Sequence, residues 1–181
     1  AAVVTSQATY AAQRLMLVAL SAARDVDERG RVYHRRLREL TAVGVGAAVL
    51  TAVAAPVLPV VLGSDWDALV GVVVVLAVGV PWRMVLGISG TLMIGAGRSH
   101  RLTIWEIPRL VFTAVCLTVT GIIGFEPFVL ASTVVAIVAT YAMHRMAASE
   151  TQLTVPRWFG VASIVAVALA AVVAPLVLTS P

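Results

Sequence analysis

Four charged side chains stand where the surrounding sequence reads as soluble in hydrocarbon: Arg14, Arg83, Glu106 and Arg109. Arg83 follows Pro81 and Trp82 in V-L-A-V-G-V-P-W-R-M-V-L-G (75–87). A guanidinium is permanently charged and offers a planar fork of N–H donors, which suits it to oxyanions. A charge at the centre of a membrane-spanning helix costs about 2.5–3.5 kcal/mol on insertion scales, so it usually faces a bundle interior or an aqueous cavity and finds partners there. Two readings of Arg83 follow. It lines a cavity as an anion site, or it locks the bundle by bonding a neighbour's carbonyls.

Arg14 lies in A-T-Y-A-A-Q-R-L-M-L, with Tyr10 and Gln13 on the same side and Gln7 a turn or two earlier. A polar stripe on an otherwise apolar span predicts contact with water or ligand. Glu106 and Arg109 are spaced i, i+3 and share a helix face, so they can pair. Arg109 stands about 10 Å inside its span, within snorkelling reach of the surface. A structural ion pair and a cavity role both remain open for these two.

Catalytic chemistry finds no foothold. The one cysteine, Cys116, lies in an apolar run and reads as a small buried hydrophobe. His34, His100 and His144 are far apart and fall in polar connectors, without metal-ligand spacing. The sequence predicts no enzyme, no metal and no cofactor.

The elements that must carry these charges are long apolar runs. Of the 181 residues, 60% are hydrophobic and 12% charged, against about 25% charged in soluble domains. A crossing needs about 20 mostly apolar residues. Six candidate spans cover about 1–23, 40–62, 67–96, 102–123, 126–145 and 157–178. The runs are continuous rather than alternating, which favours helices over barrel strands. The expected fold is all-α: a polytopic transmembrane helix bundle of about six spans, read as one domain over 1–181. The chain begins A-A-V-V and reads as starting inside a helix. The third span is longer than a straight crossing needs, and Pro81 removes an N–H and clashes with the carbonyl of residue 77, so a bend is expected there. Gly87, Thr91 and Gly95 then form a small-residue face that permits close helix approach.

The net charge of +4 comes from 13 arginines and no lysine. Ten of the arginines fall in three connectors, 24–39, 97–101 and 144–157, and none in the acidic turns 63–67 and 124–127. The positive-inside rule places the three basic connectors in the cytoplasm. The basic balance thus follows from topology, and no nucleic-acid partner is implied. The 24–39 connector reads either as an amphipathic helix on the inner leaflet or as a solvated loop attracted to anionic membrane lipids. Trp66 and Trp158 sit at span ends, as an interfacial belt requires.

The order of motifs is familiar. Y-A-A-Q-R-L-M-L (10–17) is followed by R-V-Y-H-R-R-L-R-E-L (31–40), then a span ending A-P-V-L-P-V-V-L-G (55–63) and a short acidic turn. V-L-A-V-G-V-P-W-R-M-V-L-G-I-S-G-T-L-M-I-G-A-G-R (75–98) and I-W-E-I-P-R-L-V-F (104–112) come next. This series resembles the C-terminal half of polysaccharide and lipid-linked oligosaccharide flippases of the MOP superfamily, the O-unit and capsule exporters. Residues 157–178 match only as another hydrophobic span.

The resemblance implies one lobe of a two-lobe transporter in the bacterial cytoplasmic membrane, with an N-terminal lobe missing from this sequence as its partner. It implies alternating access and the flipping of an undecaprenyl-diphosphate-linked saccharide for polysaccharide or lipopolysaccharide biosynthesis. Arg14 matches the cavity arginine of a Y-A-x-R-L-M-type helix in the lipid II flippase, with Gln13 where an acidic residue precedes it there. The substrate-binding residues expected on this basis are Arg14, Arg83, Gln13, Tyr10, Arg109 and Glu106. A multidrug or metabolite exporter of the same superfamily and a non-transporting membrane scaffold are the competing readings.

Overall fold

The computed structural model describes residues 13–178. It is an all-α bundle. The described part of α1 is Gln13–Ala22. It is followed by α2 (Val26–Ala54), α3 (Val57–Leu62), a 3-10 turn (Ser64–Trp66), α4 (Asp67–Val78), α5 (Val80–Gly95), α6 (Ser99–Ile123), α7 (Phe125–Glu150) and α8 (Arg157–Leu178). Five stretches are long and apolar enough to cross a membrane: α2, Ser64–Gly95, α6, α7 and α8. The chain is a membrane protein on this ground. The first half of the expected span 1–23 lies outside the described residues.

The connector 24–39 is neither a separate surface helix nor a loop, because α2 runs unbroken from Val26 to Ala54. Local chemistry explains the continuity. Asp25 caps the helix by accepting from the Glu28 N–H at 2.7 Å, and Glu28 accepts from the Arg24 N–H at 2.8 Å. This reciprocal box fixes a helix start immediately before the arginines. Arg35 then donates to Glu39 at 2.8 Å one turn on. The helix ends before Pro56, which splits the expected span 40–62 into α2 and the short α3.

The expected bend is present. α4 stops at Val78 and α5 restarts at Val80, with Pro81 in its first turn. A proline there costs no interior hydrogen bond and has its φ already set for helix. Two threonines of α7 clamp the two sides of the bend. Thr133 Oγ1 donates to the Val75 carbonyl and Thr140 Oγ1 to the Trp82 carbonyl, each at 3.2 Å. The first bond reaches a carbonyl in the last turn of α4, where the helix break removes the usual N–H partner. The second adds a bond to a carbonyl within α5.

The core lies between α2, α5, α7 and α8, around Tyr33, Leu37, Val85, Ile88, Ile137 and Phe159. Backbones approach closely where glycine allows it. A β-carbon on Gly44 would lie 2.6 Å from Cα of Pro81, which brings α2 against the bend. α1 lies on the small-residue face of α5: Gln13 packs on Gly87, and a β-carbon on Gly95 would lie 3.0 Å from Cβ of Leu20. α6 packs on α5 and α7 but buries no residue fully, so it forms an outer wall.

His144 departs from the expectation of a polar connector. It is fully buried in α7. One ring nitrogen, Nδ1, meets Tyr33 Oη of α2 at 3.0 Å, and Nε2 meets the Val85 carbonyl of α5 at 3.0 Å. A carbonyl can only accept, so Nε2 carries the proton and Nδ1 accepts from the tyrosine. The imidazole therefore ties three helices together. Trp82 Nε1 adds a fourth by donating to Ser163 Oγ of α8 at 2.9 Å.

The three basic connectors meet at one end of the bundle. His34 Nε2 bonds the Thr154 carbonyl at 2.8 Å, and Arg98 pairs with Glu150 at 2.9 Å. The α6–α7 turn lies a whole helix length away from that end. It reverses on Gly124 alone, at φ 157°, a conformation open essentially only to glycine.

Candidate functional site

Arg83 opens the second half of the bent helix, and its N–H bonds the Gly79 carbonyl at 3.1 Å. On a helix turning about 100° per residue, Arg83, Gly87, Gly90 and Ile94 share one stripe. α1 touches that stripe at Gly87, and Leu102 of α6 touches it at Gly90. Arg83 and Ile94 are exposed between these contacts. α1 and α6 thus flank the stripe and cover it at Gly87 and Gly90.

Between α5, α6 and α7 lies a cavity of about 200 Å³, lined by Arg83, Arg109, Thr113 and Leu117 together with Ser132 and Ala136 of α7. Two of the arginines singled out in the sequence therefore share one hollow. Arg109 is held: its Nε donates to Glu106 Oε2 at 2.6 Å, and Nη2 contacts the same oxygen. Arg83 is held loosely. Among the described residues its guanidinium has one hydrogen bond, from Nη2 to the Ser132 carbonyl at 3.5 Å. A guanidinium has five N–H donors, and a single long bond leaves most of them for another acceptor.

The sum over Arg83, Arg109 and Glu106 is one net positive charge beside a hollow otherwise lined mainly by apolar side chains, Leu86, Leu117 and Val135 among them. Such a net charge favours an anion over a cation at the cavity.

Thr113 was not expected at this site. It stands one helical turn beyond Arg109, and that spacing was readable. Among the described residues its Oγ1 is buried with no hydrogen-bond partner. Other helical threonines bond back to a carbonyl, as Thr41 does to Leu37, Thr91 to Gly87 and Thr120 to Cys116. Ser132 also escaped the sequence reading, because its part is played by a main-chain carbonyl.

The remaining expected residues are placed differently. Gln13 packs on Gly87, one turn along the stripe from Arg83. Arg14 does not line the Arg83–Arg109 cavity. It is exposed on α1, on the side away from the buried Met16 and Leu20. Tyr10 lies outside the described residues. Among the described residues, no group of three His, Cys, Asp or Glu side chains could hold a metal ion.

The fold is that of a helical membrane protein in which Arg83, just after a helix break, and Arg109 of α6 share one hollow. No protein family, no curated protein and no solved structure matches the chain.

Proposed function

We propose that the chain is one lobe of an exporter that flips an undecaprenyl-diphosphate-linked saccharide across a bacterial cytoplasmic membrane. The observation that carries the reading is the shared cavity of Arg83 and Arg109 at the bend of a membrane-crossing helix. A diphosphate inside a membrane needs charge neutralisation, and arginine supplies it through bidentate bonds to phosphate oxygens. Transporters commonly bind substrate near the midplane at broken helices.

In this reading Arg83 grips the diphosphate, Arg109 adds a second fork, and Glu106 fixes the position of Arg109. Gln13 on α1 sits one turn along α5 from Arg83, whereas Arg14 lies on the outer side of α1. The open stripe between α1 and α6 faces the second lobe of the transporter, which completes the central cavity. The basic end of the bundle, with connectors 24–39, 97–101 and 144–157, is cytoplasmic by the positive-inside rule.

Deleting the gene for the intact transporter tests this. The undecaprenyl-linked glycan should accumulate on the cytoplasmic leaflet, and the wild-type gene should clear it. If the glycan pool and its leaflet distribution stay unchanged after deletion, the reading fails.

A further inference from the structure

Two hollows lie along one face of α2, and together they have the polarity of a phospholipid. Arg31, Arg35 and Arg38 fall within about 60° of one another around the helix. With His34 and Glu39 they line a hollow of about 460 Å³. Continued along the helix, the same stripe carries Val45, Val49 and Val53, all exposed. Val45, Val49 and Ala52 line a second hollow of about 430 Å³, closed by Trp82 of α5 and Leu169 of α8. Its lining side chains are hydrocarbon but for the Trp82 indole N–H, which is engaged by Ser163. From Arg38 to Ala52 the helix rises about 21 Å, close to the half-thickness of a bilayer with its headgroup layer.

We propose that this face holds one resident anionic phospholipid, its phosphate in the arginine hollow and an acyl chain in the apolar one. The charges needed are in place. Glu39 is engaged by Arg35 at 2.8 Å and by Arg36 at 2.7 Å. Neither Arg31 nor Arg38 has an ion-pair partner among the described residues, and both are exposed. The hollow is also preorganised. Tyr33 and Leu37 on the opposite side of α2 are fully buried, and His34 is bonded to the Thr154 carbonyl. A soluble anion would use the arginines but leave the apolar hollow empty. A second copy of the chain, related by a two-fold axis along the membrane normal, would bring one arginine stripe towards its equal. A lipid satisfies both hollows at once. The site stands apart from the Arg83–Arg109 cavity, and its failure leaves the transport reading untouched.

The test uses the full chain reconstituted into vesicles of equimolar phosphatidylglycerol and phosphatidylcholine with identical acyl chains. The protein is extracted in mild detergent, and retained lipid is read by native mass spectrometry. Phosphatidylglycerol should be retained about tenfold over phosphatidylcholine. The double variant Arg31→Gln, Arg38→Gln alters only exposed side chains and should bring the ratio to within about twofold of parity. Val49→Trp fills the apolar hollow and should lower retention of both lipids. Equal retention of the two lipids by the wild type would overturn the proposal. So would an unchanged ratio in the double variant, or a lipid-free dimer that buries α2.

Discussion

Arg83 and Arg109 enter one cavity from different helices, and among the described residues only Arg109 has an ion-pair partner there. Arg83 reaches a carbonyl at 3.5 Å, whereas Arg109 grips Glu106 at 2.6 Å. The first guanidinium is therefore the one with donors to give, and the second is a fixed charge beside it. The difference turns two similar residues into unequal ones.

That inequality predicts a specific pattern in a double-mutant cycle. Arg109→Ala alone strands the Glu106 carboxylate next to the cavity, where it repels an anion. Export of lipid-linked glycan should fall by about tenfold or more, equivalent to ~1.4 kcal/mol. Adding Glu106→Gln should recover part of that loss, because the stranded charge is gone. Additive losses in a leaflet-resolved glycan assay would mean that the pair does not act as a unit.

The buried imidazole makes a second prediction, on stability alone. His144→Ala leaves the Tyr33 hydroxyl without its partner, removes the second bond to the Val85 carbonyl and opens a void between three helices. The expected cost is about 2–4 kcal/mol in denaturant unfolding in detergent. Tyr33→Phe removes one bond and keeps the ring, so it should cost about 1 kcal/mol. Equal costs for the two variants would show that the imidazole's packing and its bond to Val85 add nothing.

Two glycines on α2 separate packing from propensity. Gly46→Ala meets open space and should stabilise the helix by about 0.5–1 kcal/mol. Gly44→Ala drives a methyl into the backbone of Pro81 and should destabilise by about 1–3 kcal/mol despite the same propensity gain. Thermal melts of the two purified variants would settle the order, and a more stable Gly44→Ala would contradict the close approach.

The orphaned hydroxyl of Thr113 gives a further test. Thr113→Val keeps the shape and removes the unpaired group. If the hydroxyl serves only the fold, the variant should be as stable as wild type or slightly more so, and equally active. If it contacts the transported anion, export should fall by about ten- to a hundredfold at unchanged stability, since a hydrogen bond to a charged group contributes about 1.5–3 kcal/mol. Export and thermal stability measured side by side distinguish the two.

Much of this was legible before any coordinates. Continuous apolar runs specify membrane-length helices, and Gly79 with Pro81 specifies the bend. The charge at position 83 announces itself by its surroundings. Other features were hidden for physical reasons. A run of arginines reports solvation rather than backbone conformation, so 24–39 read as a connector. The helix start was nonetheless written in Asp25 and Glu28, whose box closes on the backbone. His144 precedes Arg145 and so looked polar, yet α7 turns the two onto different sides, His144 fully buried and Arg145 exposed. The convergence of Arg83 with Arg109, rather than with Arg14, depends on which helices pack together. Spacing along one chain does not carry that information.

The central claim is that Arg83 holds a phosphate-bearing substrate as it crosses the membrane. The direct test is the export rate of undecaprenyl-linked glycan in cells carrying Arg83→Ala or Arg83→Lys in the intact transporter, at matched protein level in the membrane. The account predicts a loss of at least about tenfold for alanine and a partial loss for lysine, which keeps the charge but not the fork. Wild-type export by Arg83→Ala would contradict it.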